Sequence, residues 1–155
     1  MTPMDTAIKA VEQATAFYIK DLEVMTDDQL LQSAGGTARK AIDFSYEVGE
    51  VTLQFASRLK GEEPAPSLSG DEWAVAPEGL RSKVAMIEYI KSASDQLICA
   101  AKAIPEEEIG KLVGSPGRER PAYALVNFGG MHIMYHDAQL NFIQSISGDT
   151  EMHWF

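Results

Sequence analysis

Two histidines four residues apart, His132 and His136, stand in the stretch Gly130-Met-His-Ile-Met-Tyr-His-Asp-Ala-Gln-Leu140. They are two of the three histidines in the chain. On a helix this spacing puts both imidazoles on one face, about one turn apart. Such a pair is a workable two-nitrogen clamp for zinc, nickel or iron. Leu125, Gly129, His132, His136, Gln139 and Ile143 follow helical spacing, so the pair belongs to the stripe that should face the core. The same two residues would serve equally well as core histidines bonded to Tyr, Ser or backbone carbonyls. Zinc peptidases of the HExxH type are excluded, because Ile133 occupies the position of their general base.

Helical periodicity dominates the elements that must position this pair. A first segment, Pro3 to Met25, carries Ala7, Ile8, Val11, Ala14, Phe17 and Leu22 at intervals of three and four. Pro3 suits a first helical turn, where its missing N–H is not needed. Thr26-Asp-Asp-Gln29 has the form of a capping box and predicts a short helix ending at Gly35-Gly36. A second segment spans Thr37 to Leu59, with Thr37 as its cap. A third runs from Glu78 to Ala103 and a fourth from Pro121 to Ile146. Between the second and third lies a proline-, glycine- and serine-rich stretch from Gly61, reaching to Pro77.

Four amphipathic segments predict an all-α four-helix bundle. The connection between the second and third segments is long for antiparallel neighbours and predicts a crossover. Gly129-Gly130 in mid-helix costs about 1 kcal/mol each against Ala. The pair is expected to admit a neighbouring helix, within the bundle or across a dimer contact.

At 155 residues the chain has the length of one domain, 1–155. No apolar run approaches a membrane span, and Met1-Thr-Pro-Met-Asp-Thr-Ala7 has neither region of a secretory signal. The single cysteine, Cys99, forms no internal disulfide and is expected as a buried small hydrophobe. These features predict a cytoplasmic protein. Thirteen Lys and Arg against 23 Asp and Glu give a net charge of −10, which argues against nucleic acid as a partner.

The run His132-Ile-Met-Tyr-His136-Asp-Ala-Gln139-Leu-Asn-Phe-Ile-Gln144, followed by Gly148-Asp149 and His153-Trp154, resembles the last helix and tail of the DinB-like (YfiT-like) superfamily. The resemblance implies a four-helix bundle, commonly dimeric, with one divalent metal. The family's ligands are three histidines, two on the fourth helix and one on the second. His132 and His136 match the fourth-helix pair. The second helix of this chain holds no histidine, and alignment of Asp43-Phe-Ser-Tyr-Glu-Val-Gly-Glu50 puts Glu47 in its place, with Asp43 in reserve. Two histidines and one carboxylate hold zinc in hydrolytic sites and iron in non-haem sites. Tyr46 and Tyr135 are placed to bond a bound water, Gln139 to support a ligand, and His153 to lie at the surface.

Three functions remain open on this reading. One is a metal-dependent enzyme, of the thiol S-transferase or hydrolase type, acting on a small-molecule thiol or electrophile. The second is a non-catalytic metal protein, with the ion tying two helices together. The third is a homodimeric bundle whose site has degenerated and which serves protein interaction.

Overall fold

A computed structural model describes residues 1–63 and 73–155. The chain is mainly α-helical, and its helices begin where side chains can satisfy free N–H groups. Helix α1, Pro3–Val24, is capped by Thr2, whose hydroxyl accepts from the Asp5 N–H while the Asp5 carboxylate accepts from the Thr2 N–H at 2.7 Å. Thr26 and Gln29 form the same reciprocal box at the start of α2, Asp27–Leu31. Helix α3, Ala41–Lys60, closes on Gly61, whose φ of +73° is left-handed. Ser82 caps α4, Lys83–Lys102, and Pro121 immediately precedes α5, Ala122–Ile146.

Several boundaries differ from the sequence reading. The second long helix starts at Ala41, after an N-cap residue, Lys40, with no side-chain cap bond. Thr37 is not its cap. Residues 37–40 stay extended or turned, the Ser33 hydroxyl donating to the Ala38 carbonyl and Arg39 reaching back toward α3. α2 ends at Leu31, and Gly35 and Gly36 instead take positive φ in the turn that follows. The third segment opens with a 3-10 turn at Glu78–Leu80, separated from α4 by the Ser82 cap. The expected connection from Gly61 to Pro77 lies in part, residues 64–72, outside the described residues. A two-residue antiparallel pair, β1 (Leu112–Val113) with β2 (Arg120–Pro121), closes the Gly114–Gly117 loop. Its strands are too short for an alternating pattern to betray them.

The four long helices share one apolar cluster, and Val11, Leu22, Val48, Leu97, Ile133 and Leu140 are fully enclosed in it. Each such side chain contributes about 1.5–3 kcal/mol of transfer free energy. Two polar pairs within the core satisfy each other: the Tyr18 hydroxyl bonds Ser45 Oγ at 2.7 Å, and Thr15 donates to Ser94 at 2.9 Å. Cys99, by contrast, is exposed. It sits two residues past Leu97, and a step of two on a helix turns from the buried face to the outside.

Contacts fix the helix directions. Along α1 and α5, Ala10 lies against Gly130 and Asp21 against Asn141, so these two run parallel. On α3 and α4, Gly49 meets Tyr89, while Phe55 and Leu97 both abut Gly129, so these also run parallel. Between α3 and α5 the order reverses: Glu47 faces His136 and Phe55 faces Phe128. Among the described residues no helix is long and apolar enough to cross a membrane.

Both glycines of the mid-α5 pair serve packing inside the molecule. A Cβ on Gly130 would stand 3.2 Å from the Ala10 backbone carbon, and one on Gly129 would stand 2.9 Å from Leu97 Cδ2. The backbones of α1 and α5 therefore approach as closely as a missing side chain allows. Gly130→Val forces them apart and should destabilise the fold by about 1–3 kcal/mol, read as a lower midpoint in denaturant unfolding.

Candidate metal centre

Glu47 lies in the second turn of α3, and α5 runs antiparallel across it. Side chains at 132 and 136 therefore stack one above the other against the same carboxylate. Glu47 Oε1 stands 3.8 Å from His132 Nε2 and 3.6 Å from His136 Nε2. One ligand atom from each of the three residues falls within 4.8 Å of the others. Donors around a tetrahedral zinc stand about 3.4 Å apart, so the arrangement is close to a metal-sized triangle. The cluster can hold a metal ion.

His136 is buried, while His132 and Glu47 are half-buried. The Nδ1 of His136 lies 2.8 Å from Gln139 Oε1. Because that oxygen only accepts, Nδ1 carries the proton and Nε2 turns its lone pair toward Glu47. This is the support that fixes the tautomer of a ligating imidazole. Phe44 stacks on the same ring at 5.5 Å and Tyr135 meets its edge at 5.0 Å. His132 packs edge-on to His136 at 4.7 Å, and its Nδ1 has no partner among the described residues.

When their Nε2 atoms carry protons and donate to it, the neighbouring imidazoles, His132 first and His136 second, hold Glu47 ionised well below the usual carboxylate range, with Arg39 adding to them and partial burial opposing. Arg39 Nη2 lies 2.6 Å from Glu47 Oε2. The two oxygens are thus divided, one toward the histidines and one toward the guanidinium. Beside them opens a cavity of about 440 Å³, whose wall includes Arg39, Glu47, Trp73, Tyr135, His136 and Phe142.

Other residues singled out in the sequence are used differently. Asp43 accepts from the Ala76 N–H at 2.9 Å and so ties the segment before α4 to α3. Tyr46 stacks on Tyr89 at 5.9 Å, whose hydroxyl donates to Glu50, on another side of α3. His153 is half-buried and bonds Asp149 at 2.8 Å. Arg39 carried no warning in the sequence beyond its place eight residues before Glu47, ahead of the helix.

No protein-family model matches the chain, and no curated protein matches it.

Next to His136, Asp137 points the other way, toward α1, where it meets Asp21; both are fully buried. Asp21 Oδ2 accepts from Asn141 at 2.9 Å and from the Trp154 indole N–H at 2.8 Å. That indole stacks flat on Phe17 at 4.5 Å, so the tail is pinned to α1. Both oxygens of Asp137 lack a partner among the described residues. Burial first, then the neighbouring carboxylate of Asp21, push the Asp137 carboxyl up to about 8, with the Trp154 contact opposing. A proton held between the two carboxyls relieves both.

A folded-state value raised from 3.8 to about 8 means that the folded chain holds a proton the unfolded chain has lost across that window. This contribution to stability is complete below the lower value and is lost as pH rises through the upper one. Asp137→Asn, which always carries an N–H for Asp21, should be about 1 kcal/mol or more stabler than the wild type near pH 8.5 and lose the advantage near pH 5. Thermal unfolding of both proteins at the two pH values reads this directly.

Proposed function

We propose that the chain is a DinB-like protein that binds one divalent transition metal through Glu47, His132 and His136. The observation that carries this reading is the convergence of one carboxylate oxygen and two imidazole nitrogens, 3.6 and 3.8 Å apart, from two different helices. The Gln139 contact is the second support, because it leaves Nε2 of His136 free to ligate. Zinc and nickel suit a set of two imidazoles and one carboxylate, and iron is compatible with it.

The four-helix bundle with a crossover belongs to the same proposal. It is supported by the parallel course of α3 and α4, which leaves Gly61 and Lys83 at opposite ends of helices about 30 Å long. In this reading the protein is cytoplasmic and the whole chain, 1–155, forms one domain.

Of the three functional classes, the metal-dependent enzyme is favoured by the cavity of about 440 Å³ beside Glu47 and His136. A purely structural ion needs a closed shell, and three protein donors leave a place for a fourth ligand from that cavity. A degenerate site would bind both imidazoles into hydrogen bonds, yet only His136 is so engaged, and through the nitrogen turned away from Glu47. Bound there, a divalent ion supplies Lewis acidity that lowers the pKa of water or of a thiol. His132, His136 and Glu47 would hold it, Gln139 keeps His136 in the ligating tautomer, and Phe44 and Tyr135 pack against the His136 ring. Thiol transfer to an electrophile, or hydrolysis, is the reaction class that this site would serve.

A homodimer is the proposed assembly. Met131, Tyr135, Phe142 and Ile146 are all more than half exposed at spacings of four, seven and four along one side of α5. Such a stripe is an interface in search of cover. Met131→Glu with Ile146→Glu should shift sedimentation from dimer to monomer; wild-type protein that sediments as a monomer ends the proposal.

The metal assignment is tested by elemental analysis of untagged protein after incubation with zinc, nickel or iron. One equivalent is expected in the wild type, none in His132→Ala/His136→Ala, and weaker binding in Glu47→Ala, which loses one of the three donors. A wild type that stays metal-free with all three ions refutes it.

A further inference from the structure

Arg39 is the cation of this site, and its surroundings describe an unfinished binding arrangement. Its side chain is 17% exposed, and a guanidinium that far from water needs acceptors. The 2.6 Å approach of Nη2 to Glu47 Oε2 is an ion pair that falls outside strict hydrogen-bond geometry. Nε is buried with no acceptor among the described residues, and Nη2 has none beyond that ion pair. The Trp73 ring lies 4.7 Å from Cζ, over the guanidinium. Nothing in the Glu47 contact uses the planar, two-pronged donor geometry that distinguishes arginine from lysine.

The cavity supplies the rest of the description. Phe44, Trp73, Tyr135, Phe142 and Ile143 form much of its wall, so the body of a ligand there must be apolar and flat. Its volume of about 440 Å³ suits a small molecule. Charge points the same way: Glu47 and Arg39 cancel, and a divalent ion on the triad would leave the site positive within a chain of net charge −10. An anion restores the balance.

We propose that the cavity beside Glu47 binds a small aromatic or alkyl monocarboxylate, with its carboxylate on the guanidinium fork of Arg39 and its apolar body against Trp73 and Phe142. A single carboxylate is matched in charge by the one guanidinium that lines the cavity, whereas a phosphate would call for further cations that this wall lacks among the described residues. The assignment deepens the metal-enzyme reading by giving its substrate class, and in that sense rests on it. Arg39 is then a binding residue that sets the carboxylate beside the metal position, because Glu47 connects the two.

Benzoate and benzamide, equal in shape and different in charge, are the probes, titrated calorimetrically into zinc-loaded wild type and Arg39→Gln. The wild type should bind benzoate at least about tenfold more tightly than benzamide, and Arg39→Gln should lose that preference. Zinc affinity in Arg39→Gln should fall by about 10–100-fold, because Arg39 supports the Glu47 ligand, so zinc is supplied in excess for this variant. Benzoate held equally well by Arg39→Gln, as it would be by direct ligation to zinc, overturns the proposal, and so does no binding of benzoate by the wild type. The same titration on zinc-free protein separates this proposal from the one beneath it. Benzoate held through Arg39 when zinc never binds leaves the carboxylate site standing and removes the metal. Zinc bound with benzoate indifferent to Arg39 does the reverse.

Discussion

The close seating of α5 on α1 is the constraint from which the site follows. Gly130 lets the two backbones meet at Ala10, and this contact sets both the separation and the rotation of α5. At 100° per residue, positions 132 and 136 lie about 200° and 240° around the helix from Gly130. The histidines are therefore on the side of α5 that faces away from α1, and that side is taken by α3. Asp137 lies about one step further on and turns back to the α1 side, where it meets Asp21. Two adjacent residues thus serve two different interfaces.

Glu47 is the point where the electrostatics of the molecule concentrate. It stands between two imidazoles and one guanidinium, and these neighbours keep it ionised despite partial burial. Its separate oxygens make it a divider: one belongs to the histidine side, the other to the cavity side. A carboxylate can do this and an imidazole cannot, because a histidine at the same place would offer one lone pair and no charge to hold Arg39. A glutamate at this place is therefore tied to the presence of the arginine. Loss of either changes the setting of the other.

The opposite end of the buried polar system is closed by the tail. Trp154 stacks on Phe17 and donates to Asp21, while the Lys20 ammonium donates to its carbonyl at 2.8 Å. These contacts seal the carboxyl pair from water, and burial is the main reason why Asp137 holds its proton. The two acidic sites differ because their neighbours differ. Glu47 has cationic and imidazole partners and stays charged; Asp137 has another carboxylate and does not.

Much of this could be read along the chain, because its signals are local. Helical periodicity, the Thr2 and Thr26 caps, the packing role of Gly129-Gly130 and the shared face of His132 and His136 depend on residues within a turn or two of one another. Glu47 entered by resemblance, since nothing local distinguishes a carboxylate that meets histidines from one in water. Arg39, Trp73 and the cavity that they flank were beyond reach, as was the meeting of Asp21 with Asp137. Those contacts join residues 8 to 116 positions apart along the chain, through a loop conformation and helix rotations that no periodicity encodes. Even Cys99 went astray for this reason: its apolar neighbours show that the helix is buried on one side, while only the packed neighbours of α4 decide which side that is.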